Sequence, residues 1–147
     1  MKFGLRPFAA IALAATLFHS GCGGSAAPEQ AAGPVDRSYR LGAFMTGYIG
    51  QGGEIDRQKN PVLHAHAGET VEIIMINGER MVHDVALRRH RARSEIIVEK
   101  GAITRIVFVA QFNDTYYCTI PGHLEAGMAG EFVIIEESQE IAAGIED

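Results

Sequence analysis

From residue 38 onward the chain reads as one short apolar or alternating run after another, each cut off by a turn signal. This punctuation restricts the fold more than any other feature. The runs at 38–45, 61–67, 70–77, 83–88, 94–99, 102–110, 114–119 and 130–137 are divided by Gly68, Asn77-Gly78, Gly101, Asn113-Asp114 and Pro121-Gly122. No part of the stretch sustains a helical period near 3.6 residues. Short strands at this spacing predict an all-β Greek-key sandwich of about eight strands. The segment 46–61 reads as irregular, with room for a short helical turn. A length of 147 residues, 47% of them hydrophobic and 21% charged, suits a single domain with one core.

Alternation assigns faces to these runs. In TVEIIMIN, residues 70–77, Val71, Ile73 and Met75 share one face and Glu72, Ile74 and Ile76 the other, so both are largely apolar. In HDVALRR, His83 falls on the inward side with Val85 and Leu87, while Asp84, Ala86 and Arg88 point the other way. Tyr116 and Cys118 face one way and Tyr117 the opposite way.

The N-terminus carries an address. Residues 1–22 combine Lys2 and Arg6, an apolar run from Phe8 to Phe18 and then small residues, the pattern of a secretory signal. That run has 11 residues, against the roughly 20 a membrane-crossing helix needs. The sequence HSGC before the spacer resembles a bacterial lipobox, with His19 where an aliphatic residue is usual. Lipid on Cys22 would tether an exported domain to a membrane; ordinary cleavage near Ala26 or Ala27 is the alternative. The Gly-, Ala- and Pro-rich residues 23–37 read as a flexible linker, 38–137 as the domain and 138–147 as an acidic tail.

Counted from Cys22, the chain keeps 11 basic against 18 acidic residues, a net charge of −7. That balance excludes nucleic acid as the partner, because phosphate binding needs clustered Lys and Arg. One basic knot, RRHRAR at 88–93, stands against it. It reads as a solvated loop, with His90 exposed in it, or as a docking spot for an acidic partner.

The chain has two cysteines. With Cys22 removed or lipidated, Cys118 has no disulfide partner, and an exported lone thiol is reactive unless occupied. Metal coordination occupies it. Cys118, His123 and Met128 follow a C-x4-H-x4-M spacing, and the upstream His83 adds a second imidazole. Two imidazoles, one thiolate and a weak axial thioether make the ligand set of a blue-copper electron-transfer site. Thiolate and thioether suit Cu(I) and imidazole suits Cu(II), so a site compromised between them passes an electron with little rearrangement. Pro121-Gly122 supplies a tight turn before His123, and Gly127 lets the chain return closely to the last strand.

The segments NGERMVHD, 77–84, and YYCTIPGHLEAGMAGEFVI, 116–134, resemble the cupredoxins, with a ligand loop of the length seen in auracyanin and rusticyanin types. The resemblance covers about residues 39–137. It implies an eight-stranded Greek-key sandwich with one type 1 copper near one end, and one-electron shuttling between donor and acceptor redox proteins. His83, Cys118 and His123 would be the equatorial ligands and Met128 the axial one. The edge of His123 would be the electron's exit, with apolar surface around it for docking. Asp84 stands where the family commonly has Asn or Ser tying the two ligand segments together. A carboxylate there accepts the same N–H bonds but favours Cu(II) and lowers the potential.

Alternatives remain at this level. Type 1 domains of copper nitrite reductases and multicopper oxidases share the signature, but those enzymes need a further copper, and only His64, His66 and His90 are left to build it. A copper-delivery protein is a third reading. His64 and His66 lie two apart on one strand face, either a solvent-facing pair or a second metal site. The chain is expected to act as an electron carrier, not an enzyme, and as a monomer.

Overall fold

The computed structural model describes residues 34–136. The signal and lipobox at 1–22, most of the linker and the tail at 138–147 lie outside the described residues. Nine strands form: β1 (Arg37–Phe44), β2 (Gly47–Gly50), β3 (Leu63–His66), β4 (Thr70–Asn77), β5 (Ala86–Leu87), β6 (Ala92–Arg93), β7 (Ile103–Val109), β8 (Asp114–Tyr117) and β9 (Ala129–Ile135). They build two sheets, one ordered β2-β1-β4-β7 and the other β3-β9-β8-β5-β6. The pairs β1–β4 and β3–β9 are parallel and all the others antiparallel. This is the expected all-β sandwich.

The core fills the space between the sheets, and the strand pattern supplies it. Val71, Ile73 and Met75 of β4 are fully buried, facing the apolar side chains that β8 and β9 send inward, Tyr116 and Phe132. Leu41, Ala43, Leu63, Ile106 and Phe108 complete one continuous cluster. Burying a side chain of this size contributes about 1.5–3 kcal/mol relative to leaving it in water. The outward residues of β1 and β4 are polar or partly covered, and Arg37 pairs with Glu69 at 2.9 Å where the first sheet begins.

Three expectations need correction. The segment 46–61, expected to be irregular, holds β2, antiparallel to β1 with Tyr48 opposite Ala43; the short helical turn expected there does form, as a 3-10 turn at Gly53–Ile55. A strand over 94–99 does not form. The short β6 lies just before it, and that stretch is held by a bridge of Ile97 with His83 and by single bonds, Ser94 N–H to Val85 O and Asn77 Nδ2–H to Val98 O, while Ile96 and Val98 remain exposed. The run 83–88 contracts to β5, because His83 and Asp84 turn out of the ladder to serve the site described next. The nine observed strands thus differ from the eight expected mainly by β2.

Candidate metal centre

At one end of the sandwich His83, Cys118 and His123 come together, all buried, with one ligating atom of each within 4.8 Å of the others. Cys118 follows the end of β8, and its Sγ lies 3.5 Å from His123 Nδ1. The rings of His83 and His123 sit 5.0 Å apart at 52°. Sequence spacing placed these three residues together, and the fold brings them together. Met128 is also fully buried.

The loop from Cys118 to Met128 is closed by its own backbone. His123 N–H donates to Ile120 O, Met128 N–H to His123 O at 2.9 Å, and Cys118 N–H to Met128 O at 3.2 Å. Gly122 and Gly127 take φ of 85° and 98°, a left-handed conformation costly for any residue with a Cβ. These two glycines let eleven residues leave one strand and re-enter its neighbour while keeping 118, 123 and 128 adjacent. Asn60 fastens the loop from outside, its Nδ2 donating to Gly127 O at 2.8 Å while its Oδ1 accepts from Tyr48 N–H.

His83 shows what the site lacks. Its Nε2–H donates to Glu79 Oε1 at 3.1 Å, and the same oxygen accepts Met45 N–H at 2.6 Å. Its Nδ1 is buried with no hydrogen-bond partner. A buried imidazole nitrogen without a partner costs about 1–3 kcal/mol. Burial lowers the His83 pKa, the Glu79 bond only partly offsetting it, so the ring is neutral with its lone pair on Nδ1. Burial likewise pushes the Cys118 thiol up, keeping it neutral until a cation takes the proton's place. Neutral imidazoles and a displaceable thiol proton are what a soft transition-metal ion requires. The donor set fits such an ion.

Asp84 ties the two ligand-bearing segments together. Its Oδ1 accepts Thr119 N–H at 2.7 Å and its Oδ2 accepts the Thr119 hydroxyl and Arg93 Nε–H. Burial opposes its charge, but those bonds outweigh it and hold its pKa below the usual carboxylate range. Alternation turned Asp84 and Ala86 away from His83, yet both are buried, at 0% and 4% exposure. Tyr48 OH donates to Asp84 O at 2.6 Å. Glu79, Tyr48, Asn60 and Thr119 were not singled out from sequence. Glu79, inside NGERMVHD, and Thr119, inside YYCTIPGHLEAGMAGEFVI, did stand in segments already marked.

The remaining histidines lie apart from this group. His64 is exposed and His66 half-buried on the outward side of β3, flanking buried Leu63 and Ala65. His66 Nδ1 is also buried without a partner, but among the described residues neither histidine joins a group of three metal-binding side chains, so no thiol and second imidazole accompany it. His90, expected exposed, is a correction: only 2% of its side chain is accessible. Its Nδ1–H donates to Asp114 Oδ2 at 2.8 Å, its Nε2 accepts Gln111 N–H, and Phe108, Phe112 and Phe132 surround the ring.

No protein-family model and no curated protein sequence matches the chain. Solved structures do. Auracyanin B superposes with a TM-score of 0.59 at 14% identity, over 74% of this chain and 96% of that one. Auracyanin A, a "blue" copper protein of the green thermophilic photosynthetic bacterium Chloroflexus aurantiacus, gives 0.52 at 18%, over 67% and 98%. Rusticyanin from Thiobacillus ferrooxidans gives 0.51 at 20%, over 67% and 76%. At these identities the likeness is one of fold: the chain has the cupredoxin-like β-sandwich.

Proposed function

We propose that the protein is a one-electron carrier built on a single type 1 copper, held by His83, Cys118 and His123 with Met128 as the weak fourth ligand. One observation carries the reading: His83, whose Nδ1 has no hydrogen-bond partner, belongs to one buried group with Cys118 and His123. The likeness to auracyanins and rusticyanin supports the choice of metal.

Copper bound there would supply a Cu(II)/Cu(I) couple. The protein's own residues do the rest. Glu79 holds the His83 tautomer, and the bonds from Thr119 and Arg93 to Asp84 keep the loop fixed in both oxidation states. A framework that does not move between states keeps reorganisation small. Burial of all the proposed ligands excludes water and leaves no position for a substrate, the reason for reading a carrier and not an enzyme. Exposed Leu124, beside His123, and Met45, whose N–H meets Glu79, offer apolar surface for a redox partner. Export, with a lipid tether on Cys22 and a monomeric domain in a bacterial envelope, completes the proposal.

The test is spectroscopic. Cu(II) added to the metal-free protein should give the intense visible thiolate-to-copper band and a type 1 paramagnetic-resonance spectrum at one copper per chain. A colourless complex with an ordinary tetragonal spectrum sinks the reading.

A further inference from the structure

Arg88 and Arg89, the part of the basic knot that the site does not use, form one wall of an open groove of about 650 Å³. Arg88, Arg89, Tyr117, Leu124 and Glu131 line it, among others. It begins beside the site, since Tyr117 precedes Cys118 and Leu124 follows His123, and it runs out along β8 and β9.

Both arginines are set in place from below. Arg88 lies over the Tyr117 ring at 5.3 Å and Arg89 over Phe112 at 4.4 Å. Arg89 also donates from Nη1 to Asn113 O at 2.7 Å. The backbone N–H groups of Arg89 and His90 both bond Asp114 Oδ2, and His90 roots the loop among three phenylalanines. Stacked guanidinium groups on an anchored loop lose little entropy when an anion arrives.

Their charge is also free. Arg37, Arg93 and Arg105 each meet a carboxylate, whereas among the described residues none lies within 4.0 Å of Arg88 or Arg89. Asp114 faces the groove, but its Oδ2 is taken by three N–H donors. Glu131 is then the one lining carboxylate left in water.

We propose that this groove receives an acidic polypeptide segment of the partner protein. Aspartate and glutamate pair with guanidinium groups through two bonds at once, while Tyr117 and Leu124 give the segment's stem apolar contact. The chain as a whole is negative, −5 by formal count, so an acidic partner is repelled from most of its surface and drawn to this face. Such a field orients the encounter more than it tightens it, and this orientation brings the partner to the side of the molecule where Leu124 and His123 lie. The inference rests on the electron-carrier reading for its purpose, though not for its test.

The test uses the full-length chain with no metal added, titrated with poly-L-glutamate and followed by amide chemical shifts. Shifts should gather on Arg88, Arg89, Tyr117 and Leu124, and affinity should fall about tenfold or more as salt rises from about 50 to about 200 mM. R88E/R89E should weaken binding at least about tenfold, and R88Q, which keeps the stem over Tyr117, by a smaller factor. R105E, an exposed arginine of the other sheet, should change it less than about twofold. Unchanged binding by R88E/R89E, a shift map centred elsewhere, or tighter binding of a duplex oligonucleotide each overturns the proposal. So does a tenfold gain on neutralising the chain's own tail with E140Q/E146Q/D147N, which would make that tail the occupant. Failure of the visible copper band would leave this result standing.

Discussion

His83 and His90 belong to the same sheet region, are both buried and both donate a ring N–H to a carboxylate, yet they are built for opposite ends. His90 has its second nitrogen filled by Gln111 N–H and its ring enclosed by three phenylalanines. Nothing is left for a ligand. His83 has its second nitrogen bare, beside a thiol and another imidazole. A bare nitrogen alone does not mark a site, since His66 Nδ1 is bare as well; a bare nitrogen in a buried group with a thiol and a second imidazole does, and that combination separates the functional histidine from the structural one.

The comparison predicts a crossover, and the largest effect is on metal. Cys118→Ala should abolish the visible band outright while costing the metal-free fold no more than about 1 kcal/mol, since a buried free cysteine packs as a small hydrophobe. His90→Ala should do the reverse. It removes a ring packed against Phe108, Phe112 and Phe132 and takes a donor from Asp114, a loss of about 2–4 kcal/mol. Denaturant unfolding should report that loss, and the copper-loaded variant should keep its spectrum. If His90→Ala bleaches the colour or Cys118→Ala unfolds the chain, the two roles are not separate.

Why one histidine was legible and the other not follows from where their partners lie in the chain. The ligand loop is local: Cys118, His123 and Met128 fall within eleven residues, and His83 shows by alternation which way it faces. The burial of His90 depends on Asp114 and on phenylalanines 18 to 42 residues away, while its neighbours are exposed arginines. No local signal points inward. β2 was hidden for a different reason. Its sequence GYIG is half glycine, which ordinarily marks a break, yet a Cβ on Gly50 would meet Ile55 O at 1.9 Å. The glycine is there for backbone contact, and only tertiary structure shows it. SEIIVE at 94–99 failed the other way: its run of β-branched residues reads as a strand, but Ile96 and Val98 are exposed, and Ile97, which packs against the core, makes a single bridge, to His83. Asp84 was legible as a tie between segments through the family resemblance, and its bonds to Thr119 fulfil that expectation.

A smaller effect sharpens the His83 side. Glu79→Gln keeps an acceptor for Nε2–H but removes a negative charge next to the ring. Copper affinity should fall by about tenfold, the usual cost of disturbing a ligand's hydrogen-bond partner. Cu(II) loses more than Cu(I), so the reduction potential should rise by several tens of mV, a tenfold change in relative stability being about 59 mV for one electron. Voltammetry of the two proteins at one pH reads it. No rise, or a fall, would mean that the carboxylate only props the loop through Met45 N–H.

The smallest effect lies at the far side of the comparison, in an ion pair that touches neither histidine. Glu69 receives Arg37 through two bonds of 2.9 and 3.1 Å and His66 N–H through a third, and the Arg37 guanidinium holds its carboxyl below the ordinary range. A carboxylate whose folded pKa lies under its unfolded value, about 4.3, adds stability that is complete above that value and disappears as pH falls through the folded one. Glu69→Gln should therefore cost under about 1 kcal/mol at neutral pH, the pair being partly exposed and screened by salt. The cost should shrink as pH falls below the unfolded value and vanish only once it passes below the depressed folded one, where wild type has lost the charge as well. Urea midpoints of the two metal-free proteins should converge as the solution is acidified. If they stay apart down to acid pH, what Glu69 contributes is hydrogen bonding to His66 N–H and not its charge.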